Sequence, residues 1–144
     1  MISGGCRCGE SRYTLAVEAV PPVYCCHCLD CQSWSGSAFS QQAVARESDL
    51  SASGPIIEYV FTSPSGSKST QRLCGTCHAR LWNTNTARPG IAMVRAGTLD
   101  VSDTLEPRAH IWVRRKQPWL VLPDHLPVFD EGAPPADFLA IVTR

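Results

Sequence analysis

The 144-residue sequence has no net charge and no long apolar stretch. Its 13 basic and 13 acidic residues cancel to a formal charge of zero, which gives no general electrostatic attraction to nucleic acid or to a membrane surface. No apolar run reaches the length that a membrane-spanning helix needs. The first residues, Met1–Gly5, lack the charged and apolar regions of a secretion signal. We therefore expect a cytoplasmic protein with neither nucleic acid nor membrane as its partner.

The sequence also lacks an internal repeat, a low-complexity tract and an obvious linker, so we expect a single domain over residues 1–144. Helical periodicity is scarce, whereas alternating apolar stretches such as Tyr13–Val17, Ile56–Thr62 and Ala109–Val113 are typical of strands. Six of the eleven prolines follow residue 100, and proline removes a backbone donor and breaks helices. The pattern predicts a mainly β domain of short antiparallel strands.

Further local patterns predict additional strands and turns. Strands are expected at Val23–Cys28, Ala38–Arg46, Arg80–Asn85 and Ile91–Ala96, and turns at Ser51–Pro55, Ser63–Ser67 and Arg88–Gly90. Two stretches stay open between alternatives. Residues 32–37 fit either a loop or one short helical turn, and residues 137–142 fit either a final strand or a short helix.

One reactive residue type is abundant, because the chain contains eight cysteines. They occur as Cys6-x-Cys8, Cys26-x-Cys28-x2-Cys31 and Cys74-x2-Cys77, with Cys25 left over. A disulfide framework is disfavoured, since we expect no secretion signal and the chain is long enough to fold without disulfide bonds. Short spacings of this kind suit a metal ion. The cysteines therefore indicate reduced, metal-bound thiolates.

Four of the cysteines lie close together in one stretch. Alternate side chains of a strand point to the same face, so Cys26 and Cys28 are expected to point one way and Cys25 and His27 the other. Cys31 follows after a short turn and can approach the first pair. Three protein ligands leave one position open on zinc, which is the usual arrangement of a catalytic site. The alternative is a closed structural site completed by a distant residue.

The cysteine pairs can be combined in two ways. The first combination forms a four-cysteine group from Cys6, Cys8, Cys74 and Cys77, and a three-cysteine group from Cys26, Cys28 and Cys31. The second joins Cys28 and Cys31 to Cys74 and Cys77 as a plain zinc ribbon. We favour the first combination, because the second leaves Cys6 and Cys8 without a role.

Taken together, these residues resemble the glutathione-dependent formaldehyde-activating enzyme family, which includes centromere protein V. The resemblance extends from about Gly5 to Phe129. The motifs that carry it are Gly5-Cys6-x-Cys8-Gly9 with Arg12-Tyr13, Cys26-His27-Cys28-x2-Cys31 followed by Ser35–Phe39, Leu73-Cys74-Gly75-x-Cys77, Ala96–Asp100, Pro107-x2-His110-Ile111-Trp112, Pro118-Trp119 and Leu126-Pro127.

The resemblance implies an all-β, tent-like fold built on two zinc ions. The four-cysteine group would hold a structural zinc and the three-cysteine group a catalytic one. The implied activity is that of a carbon–sulfur lyase similar to S-(hydroxymethyl)glutathione synthase, in which glutathione adds to formaldehyde or a related carbonyl. Two residues depart from the family pattern: Gln32 stands where a basic residue is frequent, and His78 where a glycine is frequent.

Other residues are candidates for contact with the substrate. If the three-cysteine group is an open site, the segment that follows it must border the open position, which makes Trp34, Ser35 and Gly36 candidate contacts for a small thiol. His110 is a candidate either for lining the same cleft or for core packing. The alternative function is a non-catalytic zinc module of the same family that recognises a macromolecular partner.

Overall fold

The computed structural model describes residues Met1–Thr143, and most of its regular structure is short strands. Within this range the strands are β1 Ile2–Gly5, β2 Arg12–Leu15, β3 Val23–Cys26, β4 Ser40–Arg46, β5 Leu50–Ser53, β6 Ile56–Thr62, β7 Lys68–Cys74, β8 Arg80–Asn85, β9 Arg88–Arg95 and β10 Pro107–Ile111. The α-helices are α1 Leu29–Ser35 and α2 Pro135–Thr143. The predicted mainly β class is confirmed. Across the described residues, neither helix has the length and apolarity needed to span a bilayer.

The described residues form two compact units. The first unit contains residues 1–21 and 43–105, and the second contains residues 22–42 together with the chain from 106 onwards. Strand β4 begins in the second unit and continues into the first. The single domain expected over residues 1–144 stays a prediction.

The first unit is built from antiparallel strands. Strands β1, β2 and β5 form one sheet in the order β1-β2-β5, and strands β6 to β9 are neighbours in chain order. In the hairpin of β6 and β7, Thr62 pairs with Lys68 and Ile56 pairs with Cys74. The register therefore brings the last residue of β7 to the start of β6. Tyr13 is buried and meets Trp82 edge to face, with 6.2 Å between the ring centroids.

The second unit contains a parallel pair of strands, in contrast to the antiparallel pairing expected from the sequence. Strand β3 lies beside β10, and His110 is opposite Cys25. A parallel pair requires a long connection, and here most of the first unit lies between the two strands in sequence. The proline-rich segment that follows runs along β10, since the amide of His110 donates to Pro127 O and the amide of Phe129 donates to His110 O.

Several local predictions differ from the structure. Residues 51–53, expected as a turn, belong to β5 because they pair with β2. Residues 88–90 begin β9, and the turn lies just before them. The strand expected over residues 109–113 ends at Ile111, because Trp112 adopts a left-handed φ of 57°. The two open alternatives resolve as helices, α1 and α2.

Gly54 and Gly66 share a left-handed φ of 89° but have different surroundings. A Cβ at Gly54 would collide with the carbonyl oxygen of Glu10, whereas among the described residues nothing lies within 4 Å of a Cβ at Gly66. We expect Gly66→Ala to lower the free energy of unfolding by about 1–2 kcal/mol, the cost of a left-handed backbone. Gly54→Ala should cost roughly 1–3 kcal/mol more through overpacking. Urea unfolding measures both, and equal losses would contradict this account.

Candidate metal centres

The four-cysteine group of Cys6, Cys8, Cys74 and Cys77 is brought together within the first unit. Its sulfur atoms all lie within 4.8 Å of one another. The Cys6 and Cys8 sulfurs are 3.3 Å apart, and those of Cys8 and Cys74 are 3.7 Å apart. Cys6 and Cys74 are buried, whereas Cys8 and Cys77 are exposed.

Backbone turns present these sulfurs. The amide of Ser11 donates to the Cys6 sulfur at 3.3 Å, and the amide of Thr76 donates to the Cys74 sulfur at 3.4 Å. A hydrogen bond from Ser11 and the backbone of Cys77 lower the pKa of Cys74 to about 5. His78 closes the knuckle with a left-handed φ of 62°. This conformation is easiest for glycine, which explains why a glycine suits this position; nothing in the structure explains the histidine.

The three-cysteine group of Cys26, Cys28 and Cys31 is brought together within the second unit. Its sulfurs also lie within 4.8 Å of one another. Among residues 1–143, no histidine, aspartate, glutamate or further cysteine joins this group as a fourth metal-ligating residue. Cys26 and Cys31 are buried and Cys28 is half-buried.

Strand β3 and helix α1 create this convergence. Cys26 ends β3, and Cys28 remains extended with φ −63° and ψ 157°, so the two side chains share a face. Cys28 is also the N-cap of α1, where its sulfur accepts a hydrogen bond from the amide of Cys31 at 3.4 Å. Cys31 lies in the first turn of the helix. Because α1 begins shortly after β3 ends, the Cys31 sulfur lies close to those of Cys26 and Cys28.

Contacts among the sulfurs favour one ionised thiolate, at Cys28. Hydrogen bonds from Cys26 and then Cys31 lower the pKa of Cys28 to about 2, while contacts with Cys28 and then Cys31 raise the pKa of Cys26. Cys25 faces away, is 1% exposed, and has its pKa raised to about 12 by burial. The thiolate is the form of cysteine that binds a metal, so Cys28 is the sulfur of this group that most readily meets a cation, whereas burial keeps the Cys25 thiol protonated.

Both groups fit zinc in donor type and spacing. A tetrahedron with zinc–sulfur bonds near 2.3 Å has sulfur–sulfur edges of about 3.8 Å. The sulfur separations in both groups are compatible with that size. Cysteine sulfur is also a preferred donor for zinc. Each group can therefore hold a metal ion, with four sulfur ligands in one case and three in the other.

His27 is fully buried behind the three-cysteine group and is not part of it. Its Nε2 lies 2.9 Å from Nδ1 of His110, and its ring packs against Phe39 with 5.2 Å between centroids. Burial, followed by the nearby His110 and Lys116, lowers the pKa of His27 to about 4. Burial also lowers the pKa of His110. Both rings are therefore neutral at pH 7, with one nitrogen of the contact donating and the other accepting.

His110 is 5% exposed. Its contact with a substrate stays a prediction.

Within residues 1–143, Nδ1 of His27 has no hydrogen-bond partner. We assign the His27 proton to Nε2, which then donates to His110. This assignment leaves the unprotonated Nδ1 as the unpartnered atom.

Gln32 has a structural use that a basic residue could not reproduce. Its amide nitrogen donates to the carbonyl oxygens of His27 at 2.8 Å and Arg115 at 2.9 Å. Its amide oxygen accepts from Gln117 at 3.3 Å. A cation has donors but no acceptor. Hydrogen bonds of Gln32 thus link α1 to the segment that follows β10.

The three residues predicted to border the site lie at the end of α1. Trp34 is three positions after Cys31, so the two side chains are neighbours on the surface of α1. Trp34 is 37% exposed. The Ser35 hydroxyl donates to Phe39 O at 3.2 Å and accepts from the Ser37 amide. Gly36 ends the helix with a left-handed φ of 63°. These hydrogen bonds account for a serine at position 35, and the left-handed φ accounts for a glycine at position 36. Contact of Trp34, Ser35 and Gly36 with a substrate stays a prediction.

Two residues beside the three-cysteine group were not predicted from the sequence. Tyr24 donates from its hydroxyl to Oε1 of Gln42 at 2.9 Å, and Nε2 of Gln42 donates to the Cys31 sulfur at 3.7 Å. A signal existed, because Gln42 shares a strand face with Ser40 and Val44 in a stretch rich in alanine and valine. A polar residue at such a position requires a buried partner.

The fold and the site together define a mainly β protein with two cysteine groups, each of which could hold a metal ion. The profile of the family described as glutathione-dependent formaldehyde-activating enzyme matches residues 1–115. The chain belongs to this family, and membership links it to glutathione-related and formaldehyde-related chemistry.

Comparison with solved structures supports the fold. A structural-genomics crystal structure of a Rhodobacter sphaeroides protein aligns with a TM-score of 0.55 and 21% identity. The alignment covers 74% of this chain and 92% of that chain. Identity at this level shows a shared fold alone. No curated protein matches the chain.

Proposed function

We propose that this protein is a zinc-dependent carbon–sulfur lyase of the S-(hydroxymethyl)glutathione synthase type. Its substrates would be a small thiol, glutathione in the first instance, and formaldehyde or a related carbonyl. The four-cysteine group would hold a structural zinc and the three-cysteine group a catalytic one. The cytoplasm is the proposed location, because it keeps thiols reduced.

The observation that supports this proposal most directly is the number of convergent sulfurs in the second unit. Three cysteines approach one another, and no other metal-ligating side chain in the described part of the chain joins them. Zinc is normally four-coordinate, and three protein ligands leave one position for a substrate. The four-cysteine group, by contrast, supplies a complete ligand set from the protein.

The chemistry of the donor set favours thiol addition over hydrolysis. Cys26, Cys28 and Cys31 would hold the zinc ion, which when bound would supply a coordination position that favours deprotonation of an incoming thiol. The three thiolates carry more negative charge than a divalent cation neutralises, so an anionic sulfur nearby remains electron-rich. Such a site activates water less than one built from neutral histidines.

The reaction itself is a simple addition. The sulfur of the thiol attacks the carbonyl carbon of formaldehyde, and a carbon–sulfur bond forms. The thiol proton is transferred in the net reaction to the carbonyl oxygen, which becomes the hydroxyl of the hydroxymethyl adduct. The reverse reaction breaks the same bond and returns the same proton. Trp34, beside Cys31 on the exposed side of α1, is proposed to border the bound thiol.

Cobalt(II) provides a test of thiol access to the three-cysteine group. We expect the sulfur-to-cobalt charge-transfer absorption of the cobalt-substituted protein to change when glutathione is added, because a fourth sulfur joins the metal. S-methylglutathione, which has no free thiol, should leave the spectrum unchanged. Cys28→Ser should remove the response, since one of the three ligands is lost.

The outcomes separate the candidate functions. A response to another small thiol and not to glutathione would retain the lyase and change its substrate. A spectrum that is insensitive to every small thiol would contradict the lyase proposal. That result would favour the alternative, a zinc module that recognises a macromolecular partner.

A further inference from the structure

Gln42 and Tyr24 form a buried hydrogen-bonded pair against the three-cysteine group. Gln42, on β4, is 7% exposed, and Tyr24, on β3, is 3% exposed. The Tyr24 hydroxyl donates to Oε1 of Gln42 at 2.9 Å. Nε2 of the same amide donates to the Cys31 sulfur at 3.7 Å, a distance suited to a bond with the large sulfur atom. A chain of two hydrogen bonds therefore leads from a tyrosine to one sulfur of the proposed catalytic site.

The direction of this chain follows from its chemistry. An amide has one end that accepts and one that donates. The reversed amide would place Oε1, an acceptor, against a sulfur that must be a thiolate to bind a metal. The tyrosine hydroxyl instead occupies the acceptor end and leaves the donor end for Cys31. Tyr24 is itself held edge to face by Phe138 of α2, with 5.9 Å between the ring centroids.

Burial strengthens the hydrogen bond between Gln42 and the Cys31 sulfur. Water does not compete for the amide at 7% exposure, and hydrogen bonds to charged groups are stronger than those between neutral groups. A donor aimed at a thiolate withdraws electron density from the sulfur and fixes the direction of its lone pairs. Leucine or methionine would fill the same strand position without requiring a partner. The polar side chain is therefore explained by what it donates to.

We propose that Gln42, oriented by Tyr24, is a positioning residue that holds the Cys31 sulfur and reduces its electron donation within the three-cysteine site. This inference rests on the proposed function, because it assigns Cys31 as a metal ligand. It further implies that the three sulfurs differ in the hydrogen bonds that they accept. Cys31 accepts from a side chain of β4, whereas Cys28 accepts from the backbone of α1.

The test uses the cobalt-substituted full-length protein and a zinc competition assay with a chromophoric chelator. Gln42→Met keeps the volume and removes the donor, so we expect the charge-transfer band to move to longer wavelength. We also expect zinc affinity of this site to fall roughly tenfold, as for other residues that support metal ligands. Gln42→Glu, which places a carboxylate against the thiolate, should cause a larger loss.

Two further variants isolate the effect. Tyr24→Phe keeps the ring and removes the hydroxyl that orients the amide, so it should shift the band in the same direction by a smaller amount. Gln41→Met is the matched control, because Gln41 neighbours Gln42 on the opposite face of β4. It should leave band position and zinc affinity unchanged. If Gln42→Met does not fold, Tyr24→Phe decides the question by the same two measurements.

The results distinguish failure of this inference from failure of the proposed function. If Cys28→Ser removes a cobalt band that Gln42→Met and Tyr24→Phe leave unmoved, the site exists and the role of Gln42 is overturned. If wild-type and Cys28→Ser proteins give the same cobalt spectrum, the three-cysteine group holds no metal. In that case the proposed function and this inference are both overturned.

Discussion

We expect Cys74→Ser to unfold or aggregate the protein, whereas Cys28→Ser should leave it folded. Cys74 is fully buried and lies with Cys6 and Cys8, which are more than sixty positions away in sequence. A zinc shared by these residues would close a long loop, which by analogy with a cross-link would constrain the unfolded chain by roughly 4 kcal/mol. The binding free energy of the metal would add to this stabilisation. Loss of one ligand would remove much of both contributions.

Cys28→Ser should be mild for a specific structural reason. Cys28 is half-buried and caps α1 by accepting a hydrogen bond from the Cys31 amide. Serine is among the preferred N-cap residues, so its hydroxyl can accept the same bond. The variant loses a proposed ligand of the catalytic zinc and keeps the helix.

Cys25→Ser controls for burying a hydroxyl. Cys25 is 1% exposed and Cys74 is 0% exposed, but Cys25 belongs to neither cysteine group. We expect Cys25→Ser to cost about 1–3 kcal/mol, the penalty for an unsatisfied buried polar group. Circular dichroism, urea unfolding and zinc content measure all three variants. Equal damage from Cys74→Ser and Cys28→Ser would contradict the division between structural and catalytic groups.

The wild-type protein should accelerate exchange between free glutathione and its hydroxymethyl adduct, and Cys28→Ser should return this exchange to the uncatalysed rate. The reason is that a site built from two thiolates lacks the three-sulfur set that holds the proposed catalytic metal. Magnetisation-exchange NMR with carbon-13 formaldehyde measures the rate directly at equilibrium. Cys25→Ser should retain acceleration, since Cys25 faces away from the three sulfurs.

Several results would contradict this prediction. Exchange at the uncatalysed rate in the wild-type protein would exclude glutathione with formaldehyde as the substrate pair. Acceleration that survives in Cys28→Ser would place the chemistry outside the three-cysteine group. Retained folding of Cys28→Ser, measured in the same sample, ensures that any lost activity reflects the site and not the fold.

Strands with strong local patterns were predictable. Ile56–Thr62 was expected as a strand and forms β6, because its β-branched and aromatic side chains prefer extended backbone. The seven-residue helix α1 was not settled in advance. Its N-cap is a cysteine and not serine, threonine, aspartate or asparagine, so the usual start signal is missing. Strand β7, which is largely polar, and strand β1, which contains two glycines, give no alternating pattern.

Backbone geometry alone anticipated part of the three-cysteine group. Extended residues at i and i+2 share a face in any strand, so Cys26 and Cys28 were expected to converge. The prediction does not depend on where the strand ends, because Cys28 keeps an extended conformation after β3 has ended. The side of the chain that His27 faces followed from the same alternation.

By itself, the sequence determined the mainly β class, the family and the cysteine spacings, because each depends on residues that are near one another or on a recognisable order of motifs. Only the tertiary structure decided which distant groups meet. His27 contacts His110 across 83 positions, β3 pairs in parallel with β10, and Gln42 reaches Cys31. Local periodicity assigns a side chain to a face but contains no information about what that face meets, and the hydrogen bonds of buried polar groups are completed only when distant strands pack together.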